Sequence, residues 1–104
     1  MSLVVLHISL DSAALFGTSK QGRSLDPTGA ELLRSAADLI KRRYSAIPIR
    51  VEAFSNAKEL AMHHAQLIES ELTKELMLLP QDISTDSLQR PYSDQRVEIV
   101  LQNR

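Results

Sequence analysis

Between Pro48 and Leu72 the hydrophobic period of the chain changes once, and that change limits the folds open to it. Ile49, Val51 and Ala53 alternate with Arg50, Glu52 and Phe54, the two-residue period of a half-buried strand. After Ser55-Asn56 the apolar residues recur three and four apart, at Leu60, Ala61, Ala65, Ile68 and Leu72, which lines one face of a helix. Asn56, with Glu59 three residues on, has the form of an N-cap with its capping-box partner. The unit is strand, tight turn, helix. A helix N-terminus directs its free N–H groups toward whatever lies above the turn, so a site is expected there.

The remaining elements follow from the same periods. Leu3–Leu10 alternates, with Val4, Leu6, Ile8 and Leu10 on one face and Leu3, Val5, His7 and Ser9 on the other; His7 is expected to be solvated. Asp11–Leu25 has no clear period and reads as a loop whose Ala14, Leu15 and Phe16 fold back onto the core. Asp26 as N-cap and Pro27 at the first helical position start a helix with an apolar stripe of Leu32, Leu33, Ala36, Leu39 and Ile40. Lys41, Arg42 and Arg43 lie near its C-terminus, where cations suit the helix dipole. The second helix is expected to run from Asn56 toward Leu79, before Pro80. Ile83–Leu88 is a polar strand candidate. Arg96–Gln102 is the last strand, with Val97, Ile99 and Leu101 inward and Arg96, Glu98 and Val100 outward. The order β-α-β-α-β-β predicts an α+β two-layer sandwich, with two helices on one face of a mixed sheet and Val51, Ile99, Ile68 and Leu33 buried. If the first two strands pair in parallel, their crossover should be right-handed.

Length and charge narrow the function. A chain of 104 residues fits one domain, and its net charge of −1 gives no basic face for phosphate binding, so no nucleic-acid partner is expected. With no cysteine there is no disulfide framework and no thiolate site. No apolar run is long enough to span a bilayer. No serine sits in a Gly-x-Ser-x-Gly elbow, and His63 and His64, adjacent on a helix, point about 100° apart and cannot hold one metal from the same turn. No enzyme activity, metal or cofactor is expected.

The ordered segments LDSAALF, LDPTGAELLRSAADLIKRR, IRVEAFSN, LAMHHAQLIESEL and DQRVEIVL resemble the peptidoglycan-binding C-terminal domain of the OmpA-like proteins. That family includes outer-membrane porin tails, peptidoglycan-associated lipoproteins and flagellar stator proteins. The best single pieces are Leu-x-Pro-x-Gly-x-x-Leu-Leu at Leu25–Leu33 and Arg96-Val97-Glu98-Ile99. The resemblance implies a single OmpA-like domain over residues 1–104, excised from a longer protein, in the periplasm of a Gram-negative envelope. Any membrane attachment would lie outside these residues.

The resemblance also implies a ligand site, and there the chain departs from the pattern. The family's Gly-His-Thr-Asp, whose aspartate engages the diaminopimelate of the peptidoglycan stem peptide, reads Ala53-Phe54-Ser55-Asn56 here. The family's Leu-Ser-x-x-Arg-Ala, whose arginine pairs with the diaminopimelate carboxylate, corresponds to Leu60–Ala65, with His64 at the arginine position. The link between the two is shorter by roughly two helical turns. Of the family's Asn-Arg-Arg before the last strand, only Arg96 of Asp94-Gln95-Arg96 matches. The degenerate site is therefore expected at Phe54, Ser55, Asn56, His64 and Arg96. Asn56 cannot neutralise an ammonium, and a histidine lacks the guanidinium fork. Losing two charge-assisted hydrogen bonds of roughly 1.5–3 kcal/mol each would weaken binding by on the order of 10²–10⁴-fold. Two functions follow as expectations. One is a non-enzymatic cell-wall domain with weakened or altered peptidoglycan binding; the other is an assembly or homodimerisation module of an envelope complex that has lost the ligand.

Overall fold

The computed structural model describes residues 3–17, 23–91 and 93–103. Its strands are β1 (Val4–Asp11), β2 (Ile49–Ser55), β3 (Ile83–Gln89) and β4 (Arg96–Gln102), and its helices are α1 (Ser12–Phe16), α2 (Pro27–Arg43) and α3 (Lys58–Leu76). They form one four-stranded mixed sheet in the order β1-β4-β2-β3. β4 runs antiparallel to both neighbours, while β2 and β3 are parallel and joined through α3. β1 and β2 do not pair, because β4 lies between them.

Register explains that placement. Val97, Ile99 and Leu101 of β4 oppose Ala53, Val51 and Ile49 on one side and Leu10, Ile8 and Leu6 on the other. All three β4 residues are fully buried beneath Leu33, Ala37 and Ile40 of α2 and Ala65, Ile68 and Leu72 of α3. The four residues expected at the core are in it. Val100 departs from expectation. It lies on the opposite face yet is buried, flanked in register by His7 and Arg50 on the neighbouring strands.

The segment after β1 is more ordered than its sequence period indicates. Instead of a loop, Ser12–Phe16 forms a one-turn helix that buries Leu15 and Phe16 but leaves Ala14 exposed. The part of the expected loop at 18–22 lies outside the described residues. Gly17 follows α1 at φ +59°, ψ −157°, a conformation open to glycine. The first turn of α2 then packs on the backbone of Leu15. A Cβ at Gly29 would lie 2.0 Å from the Leu15 carbonyl oxygen, so this contact needs glycine.

α2 begins at Asp26-Pro27 as expected, although the Asp26 side chain makes no capping bond; its carbonyl accepts the Ala30 amide at 2.8 Å. Its buried stripe is Leu33, Ala36, Ala37 and Ile40, with Ala37 in place of Leu32, which is exposed. α3 is capped at Ala57, not Asn56, with no side-chain capping bond. It ends at Leu76, short of Leu79, where Met77 turns left-handed at φ 55°. A 3₁₀ turn at Pro80–Asp82 leads into β3, which extends one residue past its expected end.

Candidate ligand site

The C-terminal end of β2, the N-terminal end of β4 and the start of α1 meet at one end of the sheet, and most of the expected site residues converge there. Phe54 lies opposite Arg96 in register, and Arg96 lies opposite Asp11 on the far side. The Arg96 guanidinium sits 4.2 Å above the centroid of the buried Phe54 ring, and that of Arg90 lies 5.9 Å away. This cation–π cover lets an aromatic ring occupy the helix-free face of the sheet without exposing it.

Arg96 is already matched within the chain. Its Nε donates to Glu98 Oε1 at 2.8 Å and its Nη1 pairs with Asp94. These two carboxylates, Glu98 foremost, raise the guanidinium above its ordinary pKa. In return the Arg96 hydrogen bond holds Glu98 below the usual carboxylate range against its partial burial, and the His7 hydrogen bond adds to the effect. His7 Nε2 lies 3.1 Å from Glu98 Oε2; the histidine is half-exposed on the edge strand β1, as its place in the period indicates, and in addition partnered.

Ser55 is fully buried, with its carbonyl accepting the Arg90 amide at 2.8 Å. Its hydroxyl lies 3.4 Å from Asn56 Oδ1 and 3.5 Å from Gln95 Oε1. Gln95 in turn accepts the Ser12 amide on its carbonyl at 3.2 Å. The Ser12 hydroxyl is buried without a hydrogen-bond partner. Asn56 is exposed, and its carbonyl accepts Gln89 Nε2 at 3.1 Å. It stands one residue before the helix cap, contrary to the capping-box expectation, with its Oδ1 within reach of the Ser55 hydroxyl. Glu59, the expected box partner, instead pairs with Arg23.

His64 stands apart from this group. It is 3% exposed, and its ring stacks on Phe16 of α1 at 3.7 Å between centroids and 6° between planes. His63 turns the other way, with Nε2 2.7 Å from the Arg23 carbonyl oxygen. Among the described residues, no group of three or more His, Asp or Glu side chains is arranged to hold a metal ion. The arrangement thus offers a ligand the neutral side chain of the exposed Asn56, over the buried Ser55 hydroxyl and beside an arginine already matched by two carboxylates.

Sequence reasoning missed the Phe16–His64 stack, the Asp94 and Glu98 clamp on Arg96, and the Ser12 and Gln95 contacts. The clamp was legible, because residues two apart along a strand share a face. The stack joins residues 48 apart in sequence (64 − 16), and no local pattern encodes it.

No protein-family model matches this sequence, and no curated protein matches it. Solved structures do. A periplasmic domain of Helicobacter pylori MotB superposes with a TM-score of 0.74 at 17% identity, covering 97% of this chain and 87% of that one. A longer MotB periplasmic fragment gives 0.76 at 18% identity over 99% of this chain and 68% of that one. The OmpA-like domain of FopA1 from Francisella tularensis gives 0.67 at 15% identity over 99% and 80%. The architecture expected from the sequence and these superpositions agree: the chain has the OmpA-like α+β fold.

Proposed function

We propose that this is a non-enzymatic, periplasmic, cell-wall-associated domain of the OmpA-like type, whose recognition of the peptidoglycan stem peptide is weakened. The fold supports the wall association. The observation that carries the weakening is the burial of His64 against Phe16 while Asn56 stands exposed without a charge. A stem peptide presents both an ammonium and a carboxylate at diaminopimelate. Asn56 offers the first only a hydrogen bond, and His64 is turned away from the second. Arg96 is a poor substitute, because its charge is already matched by Glu98 and Asp94.

Cosedimentation with purified sacculi tests this reading. The wild-type protein should remain mostly in the supernatant, and Asn56→Asp should raise the bound fraction by restoring the anionic partner. Strong wild-type binding that survives Asn56→Ala and His64→Ala would place recognition elsewhere and refute the assigned site. No binding by any variant favours the second reading, an assembly module that has kept the fold without the ligand. The exposed Leu3 and Val4 at the start of β1 support that second reading, since they form an apolar surface at a sheet edge.

A further inference from the structure

From the outer edge of β1 we infer that this strand is a self-pairing surface, joining two copies of the chain in an antiparallel sheet about a two-fold axis at Ser9. The inference deepens the assembly reading and rests on it. It starts from the backbone. Among the described residues β1 pairs with β4 alone, and none of them hydrogen-bonds the main chain of its other edge. Ser12 donates its amide to Gln95 of the neighbouring chain segment, and groups alternate along a strand. Leu10 and Ile8 therefore turn their N–H and C=O toward β4, and Asp11, Ser9 and His7 turn theirs outward.

The side chains select the partner. An axis at Ser9 sets His7 of each copy opposite Asp11 of the other, and Ile8 opposite Leu10. An imidazole then meets a carboxylate twice on the helix-free face, while half-buried apolar residues meet on the core face. Every outward amide and carbonyl of His7, Ser9 and Asp11 is used. The axis also brings the exposed Ala13 and Ala14 of one copy toward the exposed Leu3 and Val4 of the other. An axis two residues earlier, at His7, would set the two histidines against each other and leave both Asp11 side chains facing leucine. Of the two, the Ser9 axis gives each Asp11 carboxylate a hydrogen-bonding partner across the strand pair.

The paired stretch of the edge is also lightly guarded. No lysine or proline interrupts Val4–Asp11, and the register irregularity between Val4 and Leu6 lies outside His7–Asp11. The opposite edge, β3, differs. It shows Ser84, Thr85 and Asp86 to solvent, carries one sign of charge, and its Ser87 amide is taken by Asp86 Oδ1 at 2.9 Å. β3 has no self-complementary register of charges.

Sedimentation velocity of the 104-residue chain over a concentration series reads self-association directly, whereas sacculus binding reads the wall function, so the two readings fail separately. The wild type should show a concentration-dependent dimer. Ser9→Pro removes an amide that the monomer does not use, and proline is tolerated on an edge strand when its nitrogen faces outward, so the fold should persist and the dimer should vanish. Asp11→Lys should weaken the dimer about tenfold and His7→Lys, which places a permanent cation against both Glu98 and Asp11, should tighten it. Circular dichroism melting of each variant reports folding; if Ser9→Pro does not fold, the opposite shifts of the two charge variants decide. A wild type that stays monomeric overturns the inference. So does a dimer that persists unchanged in folded Ser9→Pro, or charge variants that move it in the same direction or not at all.

Discussion

His64→Arg restores the family-type cation at the position where the resemblance expects an arginine, and the structure gives its cost. The imidazole is 3% exposed and stacked face to face on Phe16, itself 1% exposed. Replacing it loses an aromatic stack of about 0.5–1.5 kcal/mol beyond area burial. The guanidinium must then either stay between α1 and α3 as an uncompensated charge, at about 3–5 kcal/mol, or displace Phe16 to reach water. Partial escape along the long side chain brings the expected loss to about 2–4 kcal/mol in all. For a domain of this size that is a fall in midpoint of roughly 10–25 °C. Urea unfolding followed by circular dichroism measures it, with a constant slope showing that the denatured state is unchanged. Phe16→Ala removes the ring that blocks the exit, so Phe16→Ala/His64→Arg should be more stable than the sum of the two single losses predicts, by about 1 kcal/mol or more. A His64→Arg protein within about 0.5 kcal/mol of wild type would refute the reasoning, because α1 would then be shown to open at negligible cost.

Gly29→Ala should destabilise by about 1–3 kcal/mol despite a helix-propensity gain of about 1 kcal/mol, since the added Cβ meets Leu15 backbone at 2.0 Å; thermal melting distinguishes the signs. Ile99→Ala, in the central strand, should cost about 2–5 kcal/mol by the same assay, as the cavity opens under α2 and α3. Glu98 has a folded-state pKa below its ordinary value of 4.5, so it contributes stability above that value, and this contribution is lost as pH falls through the lowered one. Stability measured from neutral pH downward should therefore fall on the acid side less steeply in Glu98→Gln than in wild type; parallel curves would show that the Arg96 and His7 contacts carry no linkage.

The fold was largely legible because its signals are local. A two-residue period ending at Ser55 and a helical period beginning just after it gave β2 and α3 within a few residues, and Asp26-Pro27 gave the start of α2. What escaped was decided by tertiary contact. α1 is a single turn, too short for a helical period to show among Asp11–Leu25, and it is held by Leu15 and Phe16 packing under α2 and α3. Val100 and Phe54 are apolar residues on the polar face of their strands; Val100 is flanked in register by His7 and Arg50, and Phe54 is covered by the Arg96 guanidinium. The helix cap moved from Asn56 to Ala57 because β2 and the Gln89–Asn56 hydrogen bond hold Asn56 in the turn. In the site, Phe54, Ser55, Asn56 and Arg96 come together as the strand-turn-helix pattern implies. His64 does not join them, because its partner, Phe16, lies in the segment whose structure the pattern did not reveal.

The account turns on whether the exposed Asn56 and the buried His64 leave any useful grip on diaminopimelate. Titration calorimetry of the wild-type domain with a soluble stem peptide containing diaminopimelate measures that grip without the avidity of intact sacculi. A dissociation constant weaker than about 1 mM, corresponding to less than about 4 kcal/mol of binding free energy, is the predicted result. A constant near 1 μM, about 8 kcal/mol, would contradict it and show that the stem peptide is recognised without a charged pair at these two positions.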